Sequence, residues 1–452
     1  MKDFLRKHKM WFKTAAGIAA VALVTLLILA EIASRGAALI FNREMARQDV
    51  LRGSITVEKL YANLWGDVTF ENLLWRDING DVILEVPSGD FHVRPWDVIT
   101  RNFKSTTIQA VTLNEAHTAV RFNEKMKVDF VKASLLDDGK DSDRERKEKK
   151  RKRSLEEKLA NFNLGDRKLR MKLVLNNCKL ESFYLQRHYV LEGVNATIDL
   201  NTAKKLYVDI TAGKFGGTMV GGGFSLKGVV DFRQLPADCD LTISLIDVDP
   251  SSLGFGMNLH DKMSLFAKAK GPISRPVATG TLNMDELNIP ALRFENVTGD
   301  IHYENGHLDF TDVHAKVYNG TLDAYGDYNI DTRVYNIYGK GKDLDSRIPL
   351  RNLRFKCLVA LDITLKCDGN PRNTLTYGSF KSGKGNYSVI PFNYIQGEFN
   401  NYKKKLDFYN VVIDTPFGRI TTDAFHIDHG KLHLNPIALT DLDTGERIQV
   451  VK

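Results

Sequence analysis

The feature that most constrains this fold is a short hairpin unit that recurs along the chain. In its clearest copy, residues 296–330, two apolar runs flank Asn305-Gly306, a dipeptide whose residues accept the positive φ of a tight hairpin turn. A second hairpin turn is predicted at Asn319-Gly320. Between the turns, apolar and polar residues alternate with the period of two that a half-buried strand requires. The unit therefore predicts an antiparallel meander.

Similar outlines occur on both sides of this copy, at Val194–Leu226 and Ile395–Ile427. Leu206, Leu308 and Leu406 hold equivalent places in the three copies and are separated by 102 and 98 residues. The sequence therefore predicts an all-β chain made of repeated meanders.

Strand alternation also selects the residues of one apolar face. The candidates, chosen by strand parity, are Val208, Ile210, Leu308, Phe310, Leu322, Leu406 and Phe408. A register slip of one residue would exchange the two faces of the sheet. The list of candidate residues therefore depends on the register that we assign to each strand.

An open sheet must cover or use its apolar face, because monomers rarely expose more than a few hundred Å² of contiguous apolar surface. After Ala160 the sequence has hardly any sustained helical periodicity, so few helices are predicted to cover that face. Two alternatives stay open. The sheet folds on itself as a sandwich or solenoid core, or the face binds an apolar ligand.

The N-terminus predicts a membrane anchor. Residues 1–13 carry five Lys or Arg residues and one Asp, and the seventeen residues Thr14–Ala30 carry no charge. That length is at the low end of what spans a bilayer, and Lys13 extends it by snorkelling. A cleaved signal peptide is the alternative, although no small-x-small site follows Leu29. The positive-inside rule keeps residues 1–13 in the cytoplasm, and both readings place the β region outside it.

A family resemblance appears just after this region. Residues 53–99 read GSITVEKLYANLWGDVTFENLLWRDINGDVILEVPSGDFHVRPWDVI. This segment resembles the start of the AsmA and TamB families of bacterial envelope proteins, in which one N-terminal transmembrane helix leads into such a stretch. The later hairpin units are similar to the repeats of the AsmA-like superfamily.

The resemblance implies a long, twisted, taco-shaped antiparallel sheet in the repeating-groove style of bridge-like lipid transfer proteins. It implies an apolar inner face that holds acyl chains, and movement of phospholipid between the inner and outer membranes. The implied location is the inner membrane, with a single pass and most of the chain in the periplasm. The implied partners are phospholipids, the inner membrane and envelope proteins at the C-terminal end. A second function class stays open, an assembly factor in the TamB manner that captures client strands at its sheet edge.

The predicted organisation has eight parts. In order they are a basic terminus (1–13), a transmembrane anchor (14–30), a connecting helix (31–50), an N-terminal β segment (51–136), a charged linker or helix (137–158), and three β repeats (159–255, 256–345 and 346–452). The connecting helix either lies on the membrane surface, packs on the first strands, or only joins the two regions.

The charged segment interrupts the β pattern. Residues 144–153 contain eight basic and two acidic residues. One reading is a solvated linker. The other is contact with anionic lipid headgroups, at about 1 kcal/mol per cation, through Lys149, Lys150, Arg151, Lys152 and Arg153. No aromatic residues interleave this run, so we do not expect nucleic acid as a partner.

The sequence gives little sign of catalysis, of a cofactor or of a metal site. The eleven histidines are scattered, and the Gly-rich stretch Gly213–Gly223 lacks the order of a phosphate-binding loop. The four cysteines lack metal-site spacing. Cys357 and Cys367 lie in one run without a turn, and a strand would hold them about 33 Å apart. We therefore predict a non-enzyme with free, buried thiols.

Overall fold

The structure of the protein is a computed structural model. It describes residues 34–43, 45–47, 52–100, 106–122, 170–184, 187–253, 260–289, 292–350, 352–403, 405–428, 431–434, 438–441 and 444–449. Of the described residues, 71% are in strands and 8% in helices, which confirms the all-β class. It divides into two compact units, unit 1 (residues 1–218 and 231–235) and unit 2 (residues 219–230 and 236–452).

Three predicted segments lie outside the described residues. They are the basic terminus 1–13, the uncharged segment Thr14–Ala30 and the charged segment 137–158. Within the described ranges, no helix combines the length and the apolar character needed to cross a bilayer.

Unit 1 begins with helical residues 34–43 and 45–47, within the stretch predicted to be a connecting helix. Asn42 fixes this helix to the chain that follows, because its side chain accepts a hydrogen bond from the Val57 amide and donates one to the Val57 carbonyl. A short helix occupies Pro95–Ile99. The strands of unit 1 are β1 (Ser54–Thr56), β2 (Lys59–Ala62), β3 (Asp67–Arg76), β4 (Val82–Val93), β5 (Ile108–Asn114), β6 (His117–Phe122), β7 (Arg170–Tyr184), β8 (Arg187–Asn201), β9 (Lys205–Ala212) and β10 (Lys214–Gly217).

The prediction of a wholly antiparallel sheet is wrong in unit 1. β4 pairs antiparallel with both β5 and β6, which follow one another along its edge. β7 then pairs parallel with β5 and β6. A parallel pair needs a connection of a dozen residues or more, and the chain between β6 and β7 supplies residues 123–169. The antiparallel order of the strands is thus broken at the long connection that contains the charged segment.

Unit 2 contains the remaining strands. They are β11 (Gly223–Asp231), β12 (Asp238–Val248), β13 (Met263–Pro272), β14 (Val277–Ile289), β15 (Leu292–Glu304), β16 (His307–Val317), β17 (Gly320–Asn329), β18 (Val334–Asp345), β19 (Phe355–Lys356), β20 (Leu358–Asp368), β21 (Leu375–Ser382), β22 (Gly385–Tyr387), β23 (Ile390–Phe392), β24 (Tyr394–Tyr402), β25 (Lys405–Thr415), β26 (Gly418–Asp428), β27 (Lys431–Leu434), β28 (Ala438–Thr440) and β29 (Arg447–Gln449).

From β12 to β26, the main sheet of unit 2 is an antiparallel meander. β12 to β18 pair in chain order, and the order continues through β20, β21, β24, β25 and β26. β19, β22 and β23 form a separate small sheet. The described helices of unit 2 are a four-residue helix, Arg347–Leu350, and two 3-10 turns, Pro250–Leu253 and Pro371–Asn373.

The central hairpins confirm one predicted turn and correct the other. Asn305 and Gly306 both have positive φ, 50° and 80°, as the turn between β15 and β16 requires. The next turn uses Tyr318 and Asn319, with φ of 48° and 64°, and lies one residue earlier than predicted. Gly320 already pairs with Val317 as the first residue of β17.

Candidate functional site

The register of β16 and β17 shows how unit 2 keeps one face apolar. Leu308 and Phe310 of β16 lie opposite Tyr328 and Gly326 of β17. A β-bulge follows at Asp312, whose φ is 49°. Strict alternation would place Val313 on the face opposite Phe310. The extra residue in the bulge shifts the alternation by one position, so Val313 lies on the same face as Phe310. The bulge therefore keeps the face continuous along the strand.

Following these pairings from β12 to β26 defines one surface, which we call the apolar face. Among the described residues that the register places on it in β12–β25, none is charged. Its large side chains are Leu241, Ile243, Leu245, Leu265, Leu282, Ile301, Leu308, Phe310, Leu322, Ile337, Leu361, Ile363, Leu365, Phe380, Phe399, Leu406, Phe408 and Phe425.

The opposite surface, which we call the polar face, is rich in charged residues. Ion pairs cross between neighbouring strands there, such as Lys270 Nζ to Asp240 Oδ2 at 3.4 Å. His314 Nδ1 lies 2.7 Å from Asp323 Oδ1. Both pairs are largely exposed, so this face of the sheet is in water. The sheet of unit 2 is thus amphipathic over a dozen hydrogen-bonded strands.

The apolar face is only partly sealed. A buried cluster lies in its middle and includes Met284, Val317 and Leu322, which are 3%, 1% and 6% exposed. Leu308, Phe310, Leu406 and Phe408 on the same face are half-buried. Among the described residues of unit 2, no helix exceeds four residues, so none of them is long enough to cover this face.

Glycines are distributed unequally between the two faces. In the described parts of β12–β25, the glycines that the register assigns to a face all lie on the apolar face. Space there is tight: a methyl group at Gly299 would lie 2.8 Å from Val313 Cγ2, and one at Gly341 would lie 2.9 Å from Leu344 Cδ1. Crowding on one face is what a sheet curled toward that face produces, and glycine relieves it.

Aromatic side chains make a ladder at the C-terminal part of the apolar face. The Phe380 and Phe408 rings are 6.1 Å apart and meet edge to face, although β24 separates their strands. Gly397 of β24 provides the space for this contact, since a methyl group there would lie 3.0 Å from Phe380 Cζ. Phe408 stacks on Phe425 at 4.7 Å. The ladder presents a continuous aromatic surface across four strands.

Unit 1 has an apolar face of its own. Val208 and Ile210 of β9 lie opposite Ile198 and Ala196 of β8. The same face continues into β7, β5, β4 and β3 through Leu173, Leu175, Val111, Leu113, Phe91, Val68 and Phe70. The parallel pairing of β5 and β7 therefore does not interrupt the apolar pattern of this unit.

The structure thus groups the residues that strand parity selects. Leu308, Phe310, Leu322, Leu406 and Phe408 share the apolar face of unit 2, while Val208 and Ile210 lie on the apolar face of unit 1. The candidate headgroup residues Lys149, Lys150, Arg151, Lys152 and Arg153 lie outside the described residues. Whether any of these side chains contacts lipid stays a prediction.

Sequence reasoning missed the glycines of the apolar face and its aromatic ladder. Both become visible once the strands are aligned in register, because Phe380 and Phe399 then lie on the same face as the residues chosen by alternation. The sequence also gave no sign that β5 and β6 are parallel to β7, because the partners of a strand across a long connection leave no local pattern.

A polar cluster in unit 1 is the most connected group of titratable side chains described. Glu181 of β7 accepts from Lys179 Nζ at 2.6 Å, and its oxygens lie 3.0 Å from His117 Nε2 and 2.9 Å from His188 Nε2. Burial alone would raise the pKa of Glu181, but these hydrogen bonds outweigh burial and lower the pKa to about 2. The carboxylate is therefore ionised and held in place between three strands.

The cysteines and possible metal ligands add no reactive centre. All four cysteines are free and buried, as predicted. Burial raises the pKa of the Cys178, Cys239 and Cys357 thiols, which lowers their reactivity at neutral pH. No group of three or more metal-ligating side chains occurs in the part of the chain that the structure describes.

Comparisons with known proteins give no relative. No protein-family model matches the chain, and searches of curated proteins and of solved structures likewise found no match.

Proposed function

We propose that the protein is a membrane-anchored envelope protein that carries phospholipid along its apolar sheet face, between the inner and outer membranes. The observation that supports this most is the apolar face of unit 2, which is uncharged from β12 to β25 and only half-buried at Leu308, Phe310, Leu406 and Phe408. The resemblance to AsmA-like and TamB-like proteins, and the predicted anchor at Thr14–Ala30, point to the same function.

The proposed mechanism is passive shielding of acyl chains. Each CH₂ group moved from water to the face contributes roughly 0.8 kcal/mol. The headgroup stays in water at the open side of the curled sheet, which the glycines of the apolar face favour. Because every strand from β12 to β25 offers an uncharged surface, no charged side chain separates successive positions along the described part of the face. Lipid therefore slides between them without large barriers.

The direction of transport must come from outside this chain. The sequence contains no phosphate-binding loop that would couple nucleotide hydrolysis to movement. A gradient of lipid between two membranes, or a partner at one end, supplies the net flux in this proposal.

The test places charge on one face and compares it with charge on the other. Leu308→Arg combined with Phe310→Arg puts two cations on the apolar face, whereas Thr311→Arg puts one on the exposed surface of the same strand. Full-length protein reconstituted into donor vesicles is mixed with acceptor vesicles, and transfer of a fluorescent phospholipid is followed. Desolvating two charges should lower transfer by about tenfold or more.

The control should transfer lipid at the rate of the unchanged protein. Circular dichroism establishes that both variants retain their strands. Unchanged transfer by a folded Leu308→Arg, Phe310→Arg protein would remove these positions from the lipid path.

A further inference from the structure

The small sheet of unit 2 projects from one end of the strands that carry the apolar face. We call residues 352–357 and 383–393 the flap. Cys357 alone separates β19 of the flap from β20, and β22 and β23 are inserted between β21 and β24. At the junction, the Ile395 amide donates to Ser382 Oγ at 2.7 Å. The flap therefore extends the same strands, at the end where the apolar face stops.

The flap has a small core of its own, so its shape is fixed. Phe355 stacks on Phe392, with ring centroids 5.7 Å apart, and Phe392 is 5% exposed. The Tyr387 ring also packs on Phe355, with centroids 6.4 Å apart. Gly385 fits only because it lacks a side chain, since a methyl group there would lie 2.6 Å from Phe392 Cζ.

The tip of the flap is apolar and faces water. Val389 and Leu353 are 89% and 79% exposed, and Ile390 is 54% exposed. The Ser388 amide donates to the Arg354 carbonyl at 2.7 Å, which places the turn bearing Val389 beside the turn bearing Leu353. Large apolar side chains are thus gathered at the tip of the flap, where no described residue covers them.

A neighbouring turn extends this apolar end. Phe417, between β25 and β26, is 77% exposed. The Asn393 amide at the base of the flap donates to the Asp414 carbonyl at 2.7 Å, so the two turns lie at the same end of adjacent strands.

The flap carries exposed cations and no acidic residues of its own. Arg354, Lys356 and Lys384 are exposed. Residues 346–361 and 383–397 contain no Asp or Glu. Two carboxylates lie at the base of the flap, and each is already paired with an arginine. Arg347 holds Asp345 and lowers the pKa of that carboxyl to about 2, and Arg419 Nε lies 3.2 Å from Asp414 Oδ1. The local charge around the tip is therefore positive.

We propose that the flap inserts its tip into an anionic lipid bilayer. Exposed aliphatic side chains beside an aromatic residue and several cations match the chemistry of the bilayer interface, where apolar groups enter the acyl boundary and Lys or Arg pair with phosphate. A protein groove would not require the excess of positive charge. In this respect the inference rests on and deepens the proposed lipid carriage, because it brings the rim of the apolar face at β20, β21 and β24 to a membrane where acyl chains enter or leave.

The test reads the depth of the tip directly. Val389→Cys is labelled with an environment-sensitive fluorophore, which reacts selectively because the native cysteines are buried. Arg372→Cys provides the control, since Arg372 is exposed in the turn at the opposite end of β20 and β21. The full-length protein is reconstituted into phosphatidylcholine vesicles with or without phosphatidylglycerol, and nitroxide groups on the acyl chains act as quenchers.

We expect a blue-shifted emission and quenching at position 389 in the anionic vesicles, and neither effect at position 372. Arg354→Gln with Lys384→Gln should lower the ratio of inserted to free tip by about 25-fold, from about fivefold for each cation removed. Leu353→Ser with Ile390→Ser should lower it further while keeping the charge.

Two results would overturn the proposal. One is a fluorophore at position 389 that stays in water in both kinds of vesicle. The other is protection of position 389 that depends on protein concentration and not on anionic lipid, which would identify a second copy or a protein as the occupant.

The outcome is separable from that of the proposed function. Lipid transfer blocked by Leu308→Arg and Phe310→Arg reports on the apolar face, whereas the emission at position 389 reports on the flap. A carrier without an inserted flap, or an inserted flap without transfer, would each be recognised.

Discussion

At the scale of single residues, Glu181 links the stability of unit 1 to pH. Its pKa in the folded state is about 2, below the ordinary value of 4.5. The carboxylate therefore stabilises the fold fully above about pH 4.5, and this contribution is lost as the pH falls toward 2. The side chain is 12% exposed, but Lys179 and His188 are 44% and 40% exposed, so solvent screens the interaction. We expect about 1 to 2 kcal/mol.

Glu181→Gln should thus speed amide exchange in β6, β7 and β8 at pH 7, and should reduce the loss of protection between pH 5 and pH 2. Hydrogen exchange read by mass spectrometry, corrected for intrinsic rates, measures both effects. Glu398→Gln, at an exposed position of β24 in unit 2, is the control and should change neither. Equal acid sensitivity of the Glu181→Gln variant and the unchanged protein would refute this role.

Gly320 is a position where glycine is required, but not for the reason that the sequence suggests. The sequence predicts it as a turn residue, but it begins β17, where a methyl group would collide with the backbone of Lys342 and Asp343. Gly320→Ala should cost about 2 to 4 kcal/mol of stability in unit 2. Gly383→Ala is the matched control, because nothing lies within 4 Å of the position a methyl group would take. Thermal unfolding followed by circular dichroism compares the two, and equal melting temperatures would contradict the assigned turn.

At the scale of elements, the connection between β6 and β7 has a length requirement. β6 ends beside Tyr184, at the far end of β7, so residues 123–169 must return along the length of β7. That length is about 46 Å at roughly 3.3 Å per residue. Removing residues 138–153 leaves thirty-one residues, with a reach of roughly 100 Å. We expect this deletion to preserve the parallel pairing and the stability of unit 1.

A longer deletion should instead break the parallel pairing. Removing residues 125–165 leaves six connecting residues, which span only about 24 Å. Protection of the β5 and β7 amides from hydrogen exchange should survive the first deletion and disappear in the second. Loss of protection in the shorter deletion would show that the charged segment does more than connect.

Sequence alternation predicts the faces of these elements better than their partners. Leu308, Phe310 and Leu322 have the parity that the register gives them, because each lies in a short stretch where the period of two holds. The bulge at Asp312 and the parallel β7 depend on neighbouring strands, and no local pattern encodes them. The flap is only partly predictable from sequence. The basic and apolar run from Arg347 to Lys356, which leads into it, is visible in the sequence, but the small core of the flap also requires residues 385–392.

At the scale of the whole molecule, the two units share one design. Each combines an apolar sheet face with a polar one, and in unit 2 the described helices are too short to cover the former. Several hundred Å² of apolar surface is costly to leave in water. Acyl chains would remove that cost, and this is the physical basis of the proposed lipid carriage.

The most direct test of that claim is photo-crosslinking inside living cells. Benzoylphenylalanine replaces Phe310 on the apolar face or, as the control, Tyr325, an aromatic residue 56% exposed on the polar face of the neighbouring strand. After irradiation, the full-length protein is purified and its adducts are identified by mass spectrometry. We predict phospholipid adducts at position 310 and none at position 325. Equal phospholipid labelling at both positions would contradict the account, and so would no phospholipid at position 310, which would favour capture of client strands at the sheet edge.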